Sequence, residues 1–312
     1  MRSLRWFTLL VLPIGLACTS VSWAFQASTS VPMVPVSVVV SVEAKHGKEV
    51  PTIYKEDVRV FHDKDRLRVI DWVPCEGDQA GLELFIVVDD SSSTDVGLQL
   101  DDLRKFINEQ PATTTLAVGY IRNGIVDIRQ NFTRDHALAA KALRLPLGSG
   151  AGMASPYLAI TDLIGRWPES KNRKEILMVS SGIDALQPGS SNSYLDETIE
   201  RAQRAGVHVY SIYASGTGHF GHTFWRLNWG QNNLSRLADE TGAEFYVQAL
   251  EMPIAYAPYL DEFAGRLKHQ FWLTFLAKPG KEAGFQLIRL ETEVPNAELI
   301  AAQSVYVTAA VK

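Results

Sequence analysis

The sequence predicts an α/β fold: a mainly parallel central sheet with helices on both faces, joined to a small β module formed by the two ends of the chain. Three observations carry this expectation. Between residues 80 and 250, short apolar runs alternate with stretches of helical period; residues 34–74 hold strand-like segments only; and the chain returns to strands after residue 270. With 46% hydrophobic and 21% charged residues over 312 positions, the chain can bury one large core and a smaller companion.

The opening 24 residues are read as a signal peptide outside the fold. Arg2 and Arg5 precede an apolar run over 6–17, and the small-residue stretch ends Ser22-Trp23-Ala24. In Gly15-Leu16-Ala17-Cys18 the leucine comes one place late for a lipobox, so cleavage after Ala24 is preferred and lipid attachment at Cys18 is the lesser alternative. The run is too short to span a membrane and no later segment is longer, so a secreted or periplasmic chain without a transmembrane segment is expected. Cleavage removes two arginines and no acid, taking the formal charge from -5 to -7, which speaks against nucleic acid as a partner. Cys75 is then the sole cysteine, and stability must come from packing rather than a disulfide.

Residues 34–74 read as an N-terminal β segment: a β-branched run over 36–42, a turn at His46-Gly47-Lys48, then strands over 58–61 and 68–73 around His62-Asp63-Lys64-Asp65. The α/β series follows over 80–250. Residues 82–88 are apolar apart from Glu83, as in a strand buried on both faces. Val96, Leu100, Leu103, Phe106 and Ile107 mark a helix, and Asn123-Gly124 marks a hairpin between strands 116–121 and 125–132. Helices are expected over 136–143, over 156–167, along the stripe Leu195, Ile199, Ala202, Ala205 before Gly206, and over 233–241 before Gly242. Strands are expected over 175–180, 207–213 and 244–247. Residues 258–312 supply a last helix, 258–269, and terminal strands that pair with the N-terminal segment. Trp72, Trp167 and Trp272, in or beside apolar segments, are read as core.

Ligands of open parallel sheets bind outside the carboxyl ends of the strands. Asp89, Ser91 and Ser93 lie there, and alternate residues of an extended loop point one way, so a carboxylate and two hydroxyls suit a hard cation. The same run equally suits a helix N-cap, which taken alone is the commoner use of Asp and Ser. Gly216-Thr217-Gly218-His219-Phe220-Gly221 fits a dinucleotide pattern but follows a late strand, and residues 219–229 do not read as a helix opening on the glycines. It is read instead as a flexible loop rich in His219, His222, Phe224, Trp225 and Trp229. His219 and His222 alone are weak evidence for zinc. There is no nucleophile elbow, and Gly148-Ser149-Gly150-Ala151-Gly152 lacks the lysine of a phosphate loop. No enzymatic activity is expected, and a hydrolase built on Ser181 is the least favoured reading.

The strand Leu84-Phe85-Ile86-Val87-Val88 followed by Asp89-Asp90-Ser91-Ser92-Ser93 resembles the metal-ion-dependent adhesion site of von Willebrand factor A (VWA) domains. Lys55-Glu56-Asp57-Val58-Arg59-Val60-Phe61 and Leu234-Ser235-Arg236-Leu237-Ala238-Asp239-Glu240-Thr241-Gly242 resemble stretches of the acidobacterial VWA-related proteins, so the likeness spans about 34–307. The resemblance implies a Rossmann-like fold and a binding or adhesion module for a protein or other macromolecular ligand. Mg2+ or another divalent cation would sit at Asp89, Ser91 and Ser93. Two departures weaken that site: Ala154 stands where a threonine is usual, with Ser155 adjacent, and Ser181 stands in place of an aspartate, with Asp184 three residues on. The edge so defined comprises Asp89, Asp90, Ser91, Ser93, Ala154, Ser155, Ser181 and Asp184. A scaffold that has lost metal binding is the alternative.

Overall fold

The computed structural model describes residues 33–151, 155–217, 223–248 and 253–309. The expected signal peptide and Cys18 lie outside them. Among the described residues no helix is long and apolar enough to cross a membrane.

The α/β half is built on a six-stranded sheet. In chain order its strands are β4 (Leu82–Asp89), β5 (Thr114–Arg122), β6 (Ile125–Thr133), β7 (Arg173–Ser180), β8 (Val207–Tyr213) and β9 (Phe245–Tyr246). They are arranged β6-β5-β4-β7-β8-β9, all parallel except β6, which returns from β5 through the Asn123-Gly124 turn with both residues at positive φ. The helices are α1 (Leu100–Asn108), α2 (His136–Lys141), α3 (Pro156–Gly165), α4 (Ser193–Ala205), α5 (Phe224–Thr241) and α6 (Ala257–Lys268).

Successive side chains of a strand face opposite ways, so the central strand β4 needs apolar residues at every position. Leu84, Ile86 and Val88 pack with Leu103 and Phe106 of α1 and Phe263 of α6. Phe85 and Val87 pack on the other face with Tyr157 and Ile160 of α3, Leu195 of α4 and Leu237 of α5. Glu83, the polar exception, accepts hydrogen bonds from Trp167 Nε1 at 2.7 Å and Asn172 Nδ2 at 3.3 Å, so its burial leaves neither oxygen unsatisfied. Gly206 and Gly242, both left-handed, end α4 and α5.

The β half comprises β1 (Val34–Ala44), β2 (Arg59–His62), β3 (Asp65–Pro74), β10 (Gln270–Ala277), β11 (Gly284–Leu287), β12 (Arg289–Glu291), β13 (Ala297–Ile300) and β14 (Ser304–Val307). One sheet runs β12-β2-β3-β10-β1-β13, so N-terminal and C-terminal strands are interleaved in it; β11 and β14 pair separately. Val40, Val42, Leu273 and Phe275 lie in its core. At the junction with the α/β half, Gln270 accepts from Arg173 Nη1 at 2.5 Å and donates to Glu175 at 2.9 Å.

Three expectations need correction. The helix read over 233–241 starts at Phe224, because exposed Phe224 and Trp225 hide the helical period of its first turns. The strand read over 244–247 is reduced to two residues. Of the three tryptophans read as core, Trp72 and Trp167 are half-buried and pack against it, Trp72 stacking on Phe271 at 4.4 Å and Trp167 against Phe85 and Phe132, whereas Trp272 lines a cleft.

Candidate functional site at the carboxyl edge of the sheet

β4 delivers Asp89 to the carboxyl edge of the sheet, where the chain turns at once. Asp89 Oδ1 accepts from the backbone N–H of Ser91 at 2.9 Å and from Ser91 Oγ at 2.7 Å, an Asx turn that bends the loop back. Asp89 Oδ2 accepts from Ser180 Oγ at 2.8 Å, at the end of β7. The carboxyl is almost fully buried, and that burial raises its pKa against the lowering effect of the Ser91 and Ser180 hydrogen bonds.

Asp90 faces the opposite side of the sheet. Arg144, from the loop after α2, grips it with two bonds of 2.6 and 2.7 Å, and the guanidinium lies over the Tyr120 ring at 3.8 Å. The carboxylate in turn raises the Arg144 pKa. Gly148 N–H donates to the Asp90 carbonyl, so one residue holds the 144–148 loop by both side chain and backbone. Ser93 belongs to neither cluster: it caps the 3-10 turn Thr94–Gln99, its hydroxyl donating to Asp95 at 2.9 Å and accepting from the Asp95 N–H.

The second and third loops meet each other. Ser155 caps α3 and donates to Asp184 Oδ2 at 2.6 Å; Asn192 Nδ2 and the N–H groups of Leu186 and Gln187 also donate to Asp184. Its buried carboxylate thus accepts four hydrogen bonds and is fully used in shaping the loop. Ser181 Oγ accepts from Ile183 N–H, and no histidine or carboxylate bonds to it among the described residues. The turn at Gly182, left-handed at φ 67, presses on α5: a Cβ there would run into the Gly230 carbonyl, and one on Gly230 would run into that of Ser181. Ala154, His219 and His222 lie outside the described residues.

The structure therefore brings Asp89, Ser91 and Ser180 together, and Ser155 with Asp184, while Asp90 and Ser93 stand apart. Ser180 was not singled out in the sequence, where it read only as the last residue of a strand. A hard divalent cation wants several free oxygens, usually including one or two carboxylates. Here Asp89 has both oxygens engaged, Asp90 is neutralised by Arg144, and Ser93 and Ser155 donate elsewhere. Among the described residues no group of three or more His, Cys, Asp or Glu side chains is placed to hold a metal. Each of Asp89, Asp90, Ser93 and Ser155 already has a hydrogen-bond partner within the protein, while residues 152–154 of the second loop lie outside the described residues.

No protein-family model and no curated protein matches the chain. Solved structures do. The conserved hypothetical protein BatB from Bacteroides thetaiotaomicron is 11% identical, with 60% of this chain and 97% of that one aligned and a TM-score of 0.39. The ArnB paralog VWA2 from Sulfolobus acidocaldarius is 10% identical over 88% and 76%, with a TM-score of 0.40. The SpRpn10 VWA domain is 13% identical over 58% and 94%, with a TM-score of 0.36. None of these likenesses reaches the acidobacterial branch, which rests on sequence resemblance alone. By its own strand order, its two helix layers and the Asp-x-Ser-x-Ser turn closing its central strand, the α/β half is VWA-like in fold.

Proposed function

We propose that the chain is a non-enzymatic protein-binding module, exported to the periplasm or beyond, that docks a partner on the carboxyl edge of its α/β sheet without needing a resident cation. The observation that carries this reading is a contrast at that edge. Asp89, Asp90 and Asp184 are buried and internally bonded, whereas large apolar side chains stand exposed on the elements that follow the strands there: Leu98 in the 3-10 turn, Leu145, Leu147 and Leu186 in loops, and Phe224 and Trp225 at the start of α5. Exposed apolar groups concentrated beside a polar rim are the usual anatomy of a docking surface, with aromatic residues as its strongest anchors. Phe224 and Trp225 pack edge to face at 5.7 Å at the start of α5, so the pair is presented on a helix rather than a loop.

A photo-crosslinking residue at Trp225, with Leu287 of β11 as the control position, tests this in the native envelope fraction. The expected outcome is a discrete adduct from position 225, unaffected by chelator and missing from position 287. Equal labelling from the two positions would refute docking at this edge, and an adduct lost on chelation would refute the cation-free part.

A further inference from the structure

At the opposite end of the sheet, where β7 and β8 begin, the α/β half and the β module leave a cleft of about 260 Å³ between them. One wall is the β-module face of Ser37, Val39 and Trp272; another is the turn from α4 into β8, including Val207; β14 closes the third side with Tyr306. Lys171, Lys174 and Arg204 line it, and none of its lining residues is Asp or Glu. Elsewhere in this acidic chain Arg144 is matched by Asp90 and Arg266 by Glu43 and Glu244. Among the described residues the three cations make no ion pair. Two buried acids adjoin the cleft: Glu83, in register with Lys174 on the neighbouring strand, is bonded to Trp167 and Asn172, and Glu175 turns toward Gln270 and His208.

Arg204 is also held in place. Its guanidinium lies 4.2 Å from the centre of the Tyr306 ring and 5.6 Å from that of Phe285, so stacking fixes its plane and leaves its edge N–H groups for a ligand. The carboxyl end of α4 brings some partial negative charge nearby. Its carbonyls at Ala202 and Gln203 are, however, already bonded by the Gly206 N–H.

We propose that this cleft binds a small organic anion, a phosphate or carboxylate group seated among Lys171, Lys174 and Arg204 and carried on an aromatic or apolar body that packs against Trp272 and Val39. Clefts that pair an apolar floor with a few convergent charged groups are the general form of small-ligand sites, and planar guanidinium–oxyanion pairing supplies direction as well as charge. The site is separate from the carboxyl edge, so it stands or falls independently of the docking reading.

The test is calorimetric titration of the full chain at low ionic strength with phenyl phosphate, benzoate and inorganic phosphate, alongside Trp272 emission. Saturable binding of phenyl phosphate or benzoate is expected, at least about fivefold tighter than inorganic phosphate, weakened about tenfold or more in Lys174→Gln/Arg204→Gln and unchanged in Asp89→Ala. Lys171→Gln alone should weaken it less, and thermal melting of each variant checks that the fold is kept. Absence of saturable heat for all three probes up to about 10 mM, or an affinity indifferent to the double substitution, would overturn the site. Inorganic phosphate binding as tightly as phenyl phosphate would overturn the organic body.

Discussion

The carboxyl edge of the sheet and the junction around Arg266 handle buried charge in opposite ways. At the edge each acid has its own partners: Asp89 has Ser91 and Ser180, Asp90 has Arg144, and Asp184 has Ser155, Asn192 and two N–H groups. At the junction one guanidinium serves three carboxylates. Arg266 of α6 contacts Glu43 of β1, Glu244 at 2.8 Å and Glu262 at 3.4 Å, and burial pushes the Glu43 carboxyl up to about 7 with Glu244 raised as well. A satisfied polar network is rigid and gives up nothing to a ligand; an over-subscribed one responds to protons. In the docking reading proposed above the edge meets a partner with its apolar rim, while burial raises carboxyl pKa values both at the junction and at Asp89.

The comparison breaks most visibly if Arg144 is removed. Arg144→Ala leaves the Asp90 carboxylate buried without its counter-ion, and a loss of about 3–5 kcal/mol is expected in urea unfolding. A loss below about 1 kcal/mol would mean that the edge is not held by this pair. At the junction the sign runs the other way for an acid. Because the folded pKa of Glu43 lies above its ordinary value of 4.5, its contribution to stability is complete below about pH 4.5 and is lost as pH rises toward 7. The decline amounts to at most about 3 kcal/mol, with Glu244 and Asp89 acting in the same direction. Glu43→Gln should flatten the stability profile between pH 4.5 and 7; an unchanged slope would assign it to other groups.

Smaller effects sharpen the edge itself. Gly230→Ala, which forces the third loop and α5 apart at Ser181, should cost about 1–3 kcal/mol and alter labelling of the Trp225 position more than that of Leu287. Ser155→Ala removes an N-cap and one donor to Asp184, an expected loss of about 1–2 kcal/mol by thermal melting.

Much of the fold was legible because local rules and global packing agree. A strand buried on both faces must be apolar throughout, and residues 84–88 are; Asn123-Gly124 makes its turn; Gly206 and Gly242 stop their helices. What was hidden depends on partners far along the chain. The Arg144–Asp90 pair joins residues 54 apart, and Ser180 matters only because β7 lies beside β4. The pairing of β1 with β10 was foreseeable from the all-β ends, but the interleaved order of that sheet was not, since strands of similar composition carry no address. The Asp89–Ser93 run illustrates both sides: the sequence placed it at the carboxyl edge of the sheet, and only the geometry revealed that Ser93 caps a turn while Asp90 faces the other way.

In the cation-free reading proposed above, the edge acids are bound within the protein rather than waiting for a metal. Titration of the chain and of Asp89→Ala with Mn2+ and Mg2+ by calorimetry measures this directly. No saturable heat that depends on Asp89 is expected; a saturable heat in the unsubstituted chain that Asp89→Ala abolishes would overturn the cation-free reading.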